Sequence, residues 1–312
     1  MPQPDCTISS AANSNLDSVF GPVLSDLNRS RYSAAMMKLT LLSNNYSKDL
    51  NFLRLLARTQ RALVDFTGLI KTLVLIATIT KTSTDYLEQM LVLYSQGRLN
   101  EALDVGLHLQ DMNQQDMNLP ANEQKVLSHC LIKIYLEFGD YEGVHEVVAT
   151  CNTAEEDDLM LWAMGLVLLA SGKKNDALMV FRKSVALNRS NDQAWVSLSL
   201  LHEEMGDREL ALANLDKAFD ANPNNATGLK LLTKWHHRDV VQTNKVMNKV
   251  RHYLSHYEFD EEISLCYMQL LKEVDDMNSL RFEVEKLVLH NPRNTEYMIM
   301  KKNLEVSIKT AQ

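Results

Sequence analysis

The chain has 312 residues, 46% of them hydrophobic, with a formal net charge of −8 and a pI near 5.6. An acidic whole-molecule field argues against nucleic acid as a partner, because phosphate binding draws on a basic patch or stripe. Ten glycines and six prolines among many Leu, Ala, Lys, Glu and Met residues favour helix throughout and leave little support for β-structure.

Residues 1–15 are polar, with no basic cluster followed by an apolar run and a small-residue cleavage site. A flexible N-terminus is expected there, no secretory signal, and a cytoplasmic protein. Residues 1–80 carry eight Lys/Arg against five Asp, so the front of the chain is basic and the acidity lies in the remainder. Cys6, Cys130, Cys151 and Cys266 lie far apart without C-x-x-C spacing, mostly inside apolar stretches, as reduced core thiols do; no disulfide is expected. The most apolar run, Leu69 to Thr80, is twelve residues long and includes Lys71. That is short of the ~20 residues needed to span a bilayer.

Along the chain one feature recurs eight times. Ala35, Leu69, Ala102, Val144, Ala177, Ala211, Val246 and Leu280 each open a helical segment, at spacings of 34, 33, 42, 33, 34, 35 and 34. A near-constant period of this size marks stacked helix pairs, each pair burying its apolar side against the next. Gly97, Gly139, Gly172 and Gly206 stand five residues before four of these openers, where a tight turn would join the two helices of a pair. The domain organisation expected from this period places repeats one to three over 16–110 and repeats four to eight over 125–293. The 42-residue interval puts an insertion at 111–124, a surface loop or an extended helix end around the doubled QDMNQQDMN and Pro120. A turn without glycine is expected near Arg238 to Asn244. Residues 294–312 read as a C-terminal capping helix, with Tyr297, Ile299, Met300, Leu304 and Ile308 covering the last repeat.

The unit is clearest at 191–225. Asp192 is placed to cap a first helix carrying Trp195, Leu198 and His202; Gly206 ends it; a second helix carries Ala211, Leu215 and Ala218; Pro223 breaks the chain. One period earlier Leu161, Met164, Gly165, Leu168, Ala177 and Phe181 repeat that skeleton. These residues resemble the tetratricopeptide repeat, with departures at Ser199 for a glycine, His202 for a tyrosine and Leu215 for an aromatic. The resemblance implies an all-α fold, an α-solenoid or right-handed superhelix of about eight stacked antiparallel pairs. It also implies that the first helix of each pair lines an inner, concave surface.

Projected onto that surface, repeat two offers Arg54, Arg58 and Arg61, repeat four offers His129 and Lys133, and repeat seven offers Lys230, Lys234 and Arg238. Cationic ribs of this kind suit an acidic segment, although the family's carboxylate clamp also needs an Asn that is absent at these places. Each stripe equally fits the solvated face of an amphipathic helix. Repeat five projects Leu159, Trp162, Leu166 and Leu169, either a pocket for a partner's apolar anchor or simple core packing. Trp195 is expected in a seam between repeats.

The pair His252 and His256, with His236 and His237 nearby, offers at most two metal ligands from one helix face, so no metal is expected. The acidic run Glu155 to Asp158 suits a helix start. No phosphate-cradling Gly-rich loop, H-E-x-x-H or G-x-S-x-G occurs, so neither catalysis nor a cofactor is expected. The reading favoured is a non-catalytic scaffold or adaptor holding a peptide or helical segment of another protein in its groove, with a homodimer left open. The alternatives are a single-stranded RNA-binding helical array, which the acidic charge disfavours, and a regulatory module that responds to a small ligand.

Overall fold

The computed structural model describes residues 16–114, 119–151, 154–235, 240–257 and 259–311. Among them are seventeen α-helices and no strand. The segment 1–15, Cys6, His236, His237 and Arg238 lie outside the described residues. The chain divides into two compact units, one running through Val147 and one starting at Val148. The division falls inside α8 (Tyr141–Thr150), not at the 111–124 segment.

The first unit contains α1 (Leu16–Asn28), α2 (Tyr32–Tyr46), α3 (Leu50–Ala62), α4 (Phe66–Thr80), α5 (Ser83–Ser95), α6 (Leu99–Gln114) and α7 (Ala121–Phe138). The second contains α9 (Asp158–Ala170), α10 (Lys174–Leu187), α11 (Asp192–Glu204), α12 (Arg208–Ala221), α13 (Ala226–Trp235), α14 (Val240–His256), α15 (Glu261–Glu273), α16 (Met277–His290) and α17 (Thr295–Ala311). The eight openers fall one each on the even-numbered helices α2 to α16, the second members of eight pairs. All are 3% exposed or less. A small or compact apolar residue at that place lets the two helices of a pair approach closely. Phe181 shows how closely: it packs so tightly on α9 that a Cβ on Gly165 would come within 2.3 Å of its ring. In the next repeat Ser199 takes the place of Gly165, and its hydroxyl donates to the Ala211 carbonyl at 2.6 Å, satisfying a buried polar group within the pair.

The turns inside the pairs share one backbone solution. Gly97, Gly139, Gly172 and Gly206 all have positive φ, between 69° and 83°. At the same place, five residues before their openers, Ser30, Val64 and Asp275 also have positive φ, of 55°, 61° and 57°. The flanking helices impose the left-handed residue whether or not glycine supplies it. Val64, being β-branched, is the most strained of the seven. The long interval between repeats three and four is taken up at least partly by helix, since α7 has 18 residues against 13 in α3, α5, α9 and α11.

Aspartate and asparagine caps start most of the helices. Asp49, Asp65, Asp157, Asn191, Asp207, Asp260 and Asp276 each accept from a backbone N–H of the following turn. The cap of α11 is Asn191, so Asp192 is released from the capping role expected of it. The acidic run before α9 divides its work: Ala154–Glu156 forms a 3-10 turn and Asp157 caps the helix.

Successive pairs pack mainly through the second helix of one on the first helix of the next, as α4 on α5 and α10 on α11, with first helices also meeting directly at α1 and α3, α5 and α7, and α13 and α15. In the second unit, crevices open between second helices, α10 from α12 and α14 from α16. A continuous core runs from α11 to α17, with Leu215, Val250, Leu270 and Leu287 sealed from solvent, and a neighbouring cluster centres on Phe181 and Leu201. Trp195 packs on both clusters, at the seam between repeats. Sealing one such side chain contributes about 1.5–3 kcal/mol, enough that the seams decide the fold before any polar contact does. Tyr297 of α17 is 6% exposed and donates its hydroxyl to Glu261, which fastens the cap helix to the last pair and pushes the phenol up to about 12.

Candidate functional site

The residues expected to form cationic ribs lie on first helices, and the structure gives several of them partners. In the first unit Arg54 of α3 reaches Asp85 at the start of α5 with one nitrogen 3.1 Å from both carboxylate oxygens. Asp85 is 2% exposed and also accepts from the hydroxyls of Thr80 and Thr82 at 2.7 and 2.8 Å. The hydroxyls and the guanidinium together satisfy a carboxylate that would be costly to bury alone. Arg61 pairs with Glu88 of α5, and Thr84 of α5 donates to Glu123 of α7 at 3.1 Å. Arg58, between Arg54 and Arg61 on the same face, is exposed and makes no ion pair among the described residues. On α7, Lys133 is exposed and makes no ion pair among the described residues, whereas His129 is half-buried and engaged in a contact.

In the second unit Lys230 of α13 pairs with Glu262 of α15, and Lys234 stands exposed one turn on, its charge helping to hold the Glu203 carboxyl below the usual range. The first cause of that shift is the hydrogen bond from Arg208. Arg54, Arg61 and Lys230 thus link successive first helices to one another. Exposed or half-exposed pairs of this kind contribute little each, ~0–1 kcal/mol, and among the described residues Arg58, Lys133 and Lys234 make no ion pair.

Trp162 of α9 is half-buried, and its indole N–H donates to the Ser197 hydroxyl of α11 at 2.9 Å. Leu166 and Leu169 are also half-buried and, with Trp162, pack against the cluster around Phe181. Core packing and partial exposure coexist here: Leu159, Trp162, Leu166 and Leu169 lie at i, i+3, i+7 and i+10 on one face of α9. Leu200 on α11 is 37% exposed.

Sequence reasoning missed a repeating clasp. Asp158, the first residue of α9, accepts from Asn188 and Asn191 at 3.0 and 2.9 Å. One period on, Asp192 accepts from Asn222 and Asn225, both at 2.7 Å. The signal was present as an aspartate followed 30 and 33 residues later by two asparagines, twice over.

His252 and His256 pack edge to face, with ring centroids 4.5 Å apart. Among the described residues no three His, Cys, Asp or Glu side chains gather as a metal site. Cys130 and Cys266 are free thiols, and burial pushes Cys130 up to about 11, which makes it a poor nucleophile. No helix among the described residues is long and apolar enough to cross a membrane.

Stacked antiparallel helix pairs with their seams filled in register define an all-α solenoid, a class whose members present an extended surface to their partners. Residues 192–225 match the family model for the tetratricopeptide repeat. Among solved structures, the chain is similar to a tetratricopeptide repeat protein from Parabacteroides merdae ATCC 43184, with 13% identity over 82% of this chain and 97% of that one and a TM-score of 0.60. It is also similar to PilW, a widely conserved type IV pilus biogenesis factor, with 13% identity over 70% of this chain and 97% of that one and a TM-score of 0.51. A third likeness is to the APC/C hetero-tetramer Cut9–Hcn1, with 11% identity over 83% of this chain and 50% of that one and a TM-score of 0.52. At these identities the likeness is one of fold. Comparison with curated proteins gives no match. The chain carries a tetratricopeptide repeat at residues 192–225, within an all-α array of eight helix pairs and a closing helix among the described residues.

Proposed function

We propose that the protein is a non-catalytic adaptor of the cytoplasm that holds a segment of another protein along the inner, first-helix side of its second unit. The observation that carries this reading is the apolar strip of Leu159, Trp162, Leu166 and Leu169 with Leu200 on the next first helix, half-buried yet not closed over. A strip of this kind supplies anchor pockets for one or two apolar side chains, which is where binding energy concentrates. Lys234, exposed and without an ion pair among the described residues, adds a preference for an acidic residue further along the segment. Arg54, Arg61 and Lys230 enter this reading as supports that hold the first helices in register. Arg58 and Lys133 offer the same preference in the first unit.

The test is affinity capture from native extract with wild-type protein, Leu200→Asp and Lys234→Glu, read by mass spectrometry, with circular dichroism to check each fold. Both substitutions are at exposed positions and should leave the helices intact. A partner held by wild type, lost with Leu200→Asp and weakened with Lys234→Glu supports the reading. A partner retained by both variants removes it.

A further inference from the structure

The second unit also has a crevice between its second helices. A crevice of about 680 Å³ lies between α10 and α12, with α11 contributing to its lining. Its apolar lining includes Val185, Trp195, Leu198 and Leu210, and its polar lining includes Arg182, Arg189, His202, Asn214, Lys217 and Asp220. Lys217 is tied to Asp220 at 3.5 Å, so that pair neutralises itself. Arg182 and Arg189 are exposed and, among the described residues, make no ion pair or side-chain hydrogen bond; the Arg189 backbone carbonyl accepts from Trp195 at 2.9 Å. His202 is only 7% exposed, lines the crevice and has no side-chain hydrogen-bond partner among the described residues. Its ring nitrogens are not among the sealed polar atoms without a partner, so they face the open crevice, where a ligand could reach them.

The repeat provides its own comparison. A second crevice, of about 560 Å³, lies two repeats later between α14 and α16. Arg251 there occupies the position of Arg182, five residues after the opener, and Lys286 that of Lys217, six after the opener. The site of Asn214, however, is filled by Glu283, a carboxylate 6% exposed with one oxygen lacking any partner. Arg251 is also already engaged, donating to the Tyr267 hydroxyl at 2.7 Å. The later crevice therefore holds a buried carboxylate, whereas the one acid lining the earlier crevice, Asp220, is exposed and paired with Lys217. Between the two, the corresponding positions on α12 and α14 are Asp216 and His252, so the cationic lining does not continue along the second helices as a long polypeptide would need.

We propose that the crevice between α10 and α12 binds a compact organic anion, a carboxylate or phosphate on a flat apolar body, with Arg182 and Arg189 pairing the charge, His202 and Asn214 supplying hydrogen bonds, and Trp195 and Leu198 taking the apolar part. The volume suits such a ligand, since small-molecule sites span ~300–1,000 Å³ and combine apolar walls with a few placed polar groups. The site is separate from the partner-binding strip on the first helices and does not depend on it.

Calorimetric titration of the full chain with phenyl phosphate, benzoate, inorganic phosphate and phenol tests this, alongside thermal shift. Phenyl phosphate or benzoate is expected to bind at least about tenfold more tightly than phenol or inorganic phosphate, and whichever is tighter identifies the anionic group. Arg182→Glu with Arg189→Glu, both at exposed positions, should abolish that binding with circular dichroism unchanged. Asn214→Glu, which copies the later crevice, should abolish it too, and Arg251→Glu should leave it as in wild type. The proposal is overturned if none of the four probes binds, if the double arginine variant binds as wild type does, if Arg251→Glu loses binding equally, or if an acidic peptide binds at this crevice while the small anions do not.

Discussion

Repeats five and six, α9 to α12, and repeats seven and eight, α13 to α16, share one apolar skeleton and differ in nearly every polar detail laid over it. Asp158 and Asp192 each hold two asparagines in the earlier pair. The residue in register with them in repeat eight is Glu261, whose carboxylate accepts from Tyr297 of the cap instead, and Asn291 is left with a buried amide that has no partner. The earlier turns use Gly172 and Gly206, where repeat eight uses Asp275. The earlier crevice has Asn214 where the later has Glu283. Helix pairs stack in the same way in both regions, so the seams of apolar side chains set the architecture. The polar residues then set local stability and decide which places are open to a ligand.

Replacing the skeleton itself should have the largest effect. Ala211 is sealed at the point where α12 meets α11, and Ala211→Arg has nowhere to put a guanidinium; a loss of about 4 kcal/mol or more is expected, seen as early melting of the second unit by circular dichroism. Breaking the clasp ranks next. Asp192→Ala leaves the Asn222 and Asn225 amides without their shared acceptor and should cost about 2 kcal/mol in urea unfolding, whereas Asn291→Ala, which removes an amide already unpartnered, should cost under about 1 kcal/mol. Equal losses from the two would show that the clasp adds nothing beyond packing.

Glu283 gives a prediction that depends on pH. Burial raises its carboxyl above the usual range, so the native state binds its proton more tightly than the unfolded chain does. Stability from this group is full below the unfolded carboxyl value and falls as pH rises through the native one. Glu283→Gln removes that fall and should stabilise the protein by about 1 kcal/mol at neutral pH and by nothing in acid. A gain that stays constant with pH would contradict the assignment. The smallest effect is at the turn. Asp275→Gly relieves a left-handed residue with φ of 57° and is expected to raise stability by about 0.5 kcal/mol, less than the loss of about 1 kcal/mol expected from Gly206→Ala at φ of 83°. Both can be read from denaturant midpoints.

Much of this architecture is legible in the sequence because one residue per repeat carries it. The openers from Ala35 to Leu280 sit at places where a large or polar side chain would separate two helices, so the period survives even where the rest of the repeat has drifted. The turns at Ser30, Val64 and Asp275 are not legible, since no glycine marks them and the backbone there is dictated by the helices on either side. The cationic ribs show why single-helix stripes are incomplete guides to a surface. Arg54 and Asp85 are 31 residues apart, and nothing in the α3 stripe reveals that the next first helix presents a carboxylate to it. Asp192 was legible as polar and near a helix start, but which of two adjacent residues caps is decided by backbone geometry, and Asn191 takes that place. The crevice residues Arg182 and Lys217 become visible only when positions are numbered from the openers and compared between repeats.

The account rests most directly on the separation of an inner partner-binding side from a small-anion crevice between second helices within the second unit. Affinity capture and calorimetry on two variants, Leu200→Asp and the double Arg182→Glu and Arg189→Glu, measure it in one experiment. The account predicts that Leu200→Asp loses the protein partner and keeps phenyl phosphate or benzoate binding, and that the arginine variant does the reverse. If the arginine variant lost the protein partner while Leu200→Asp kept it, the inner side would not be the interaction surface and the account would be contradicted.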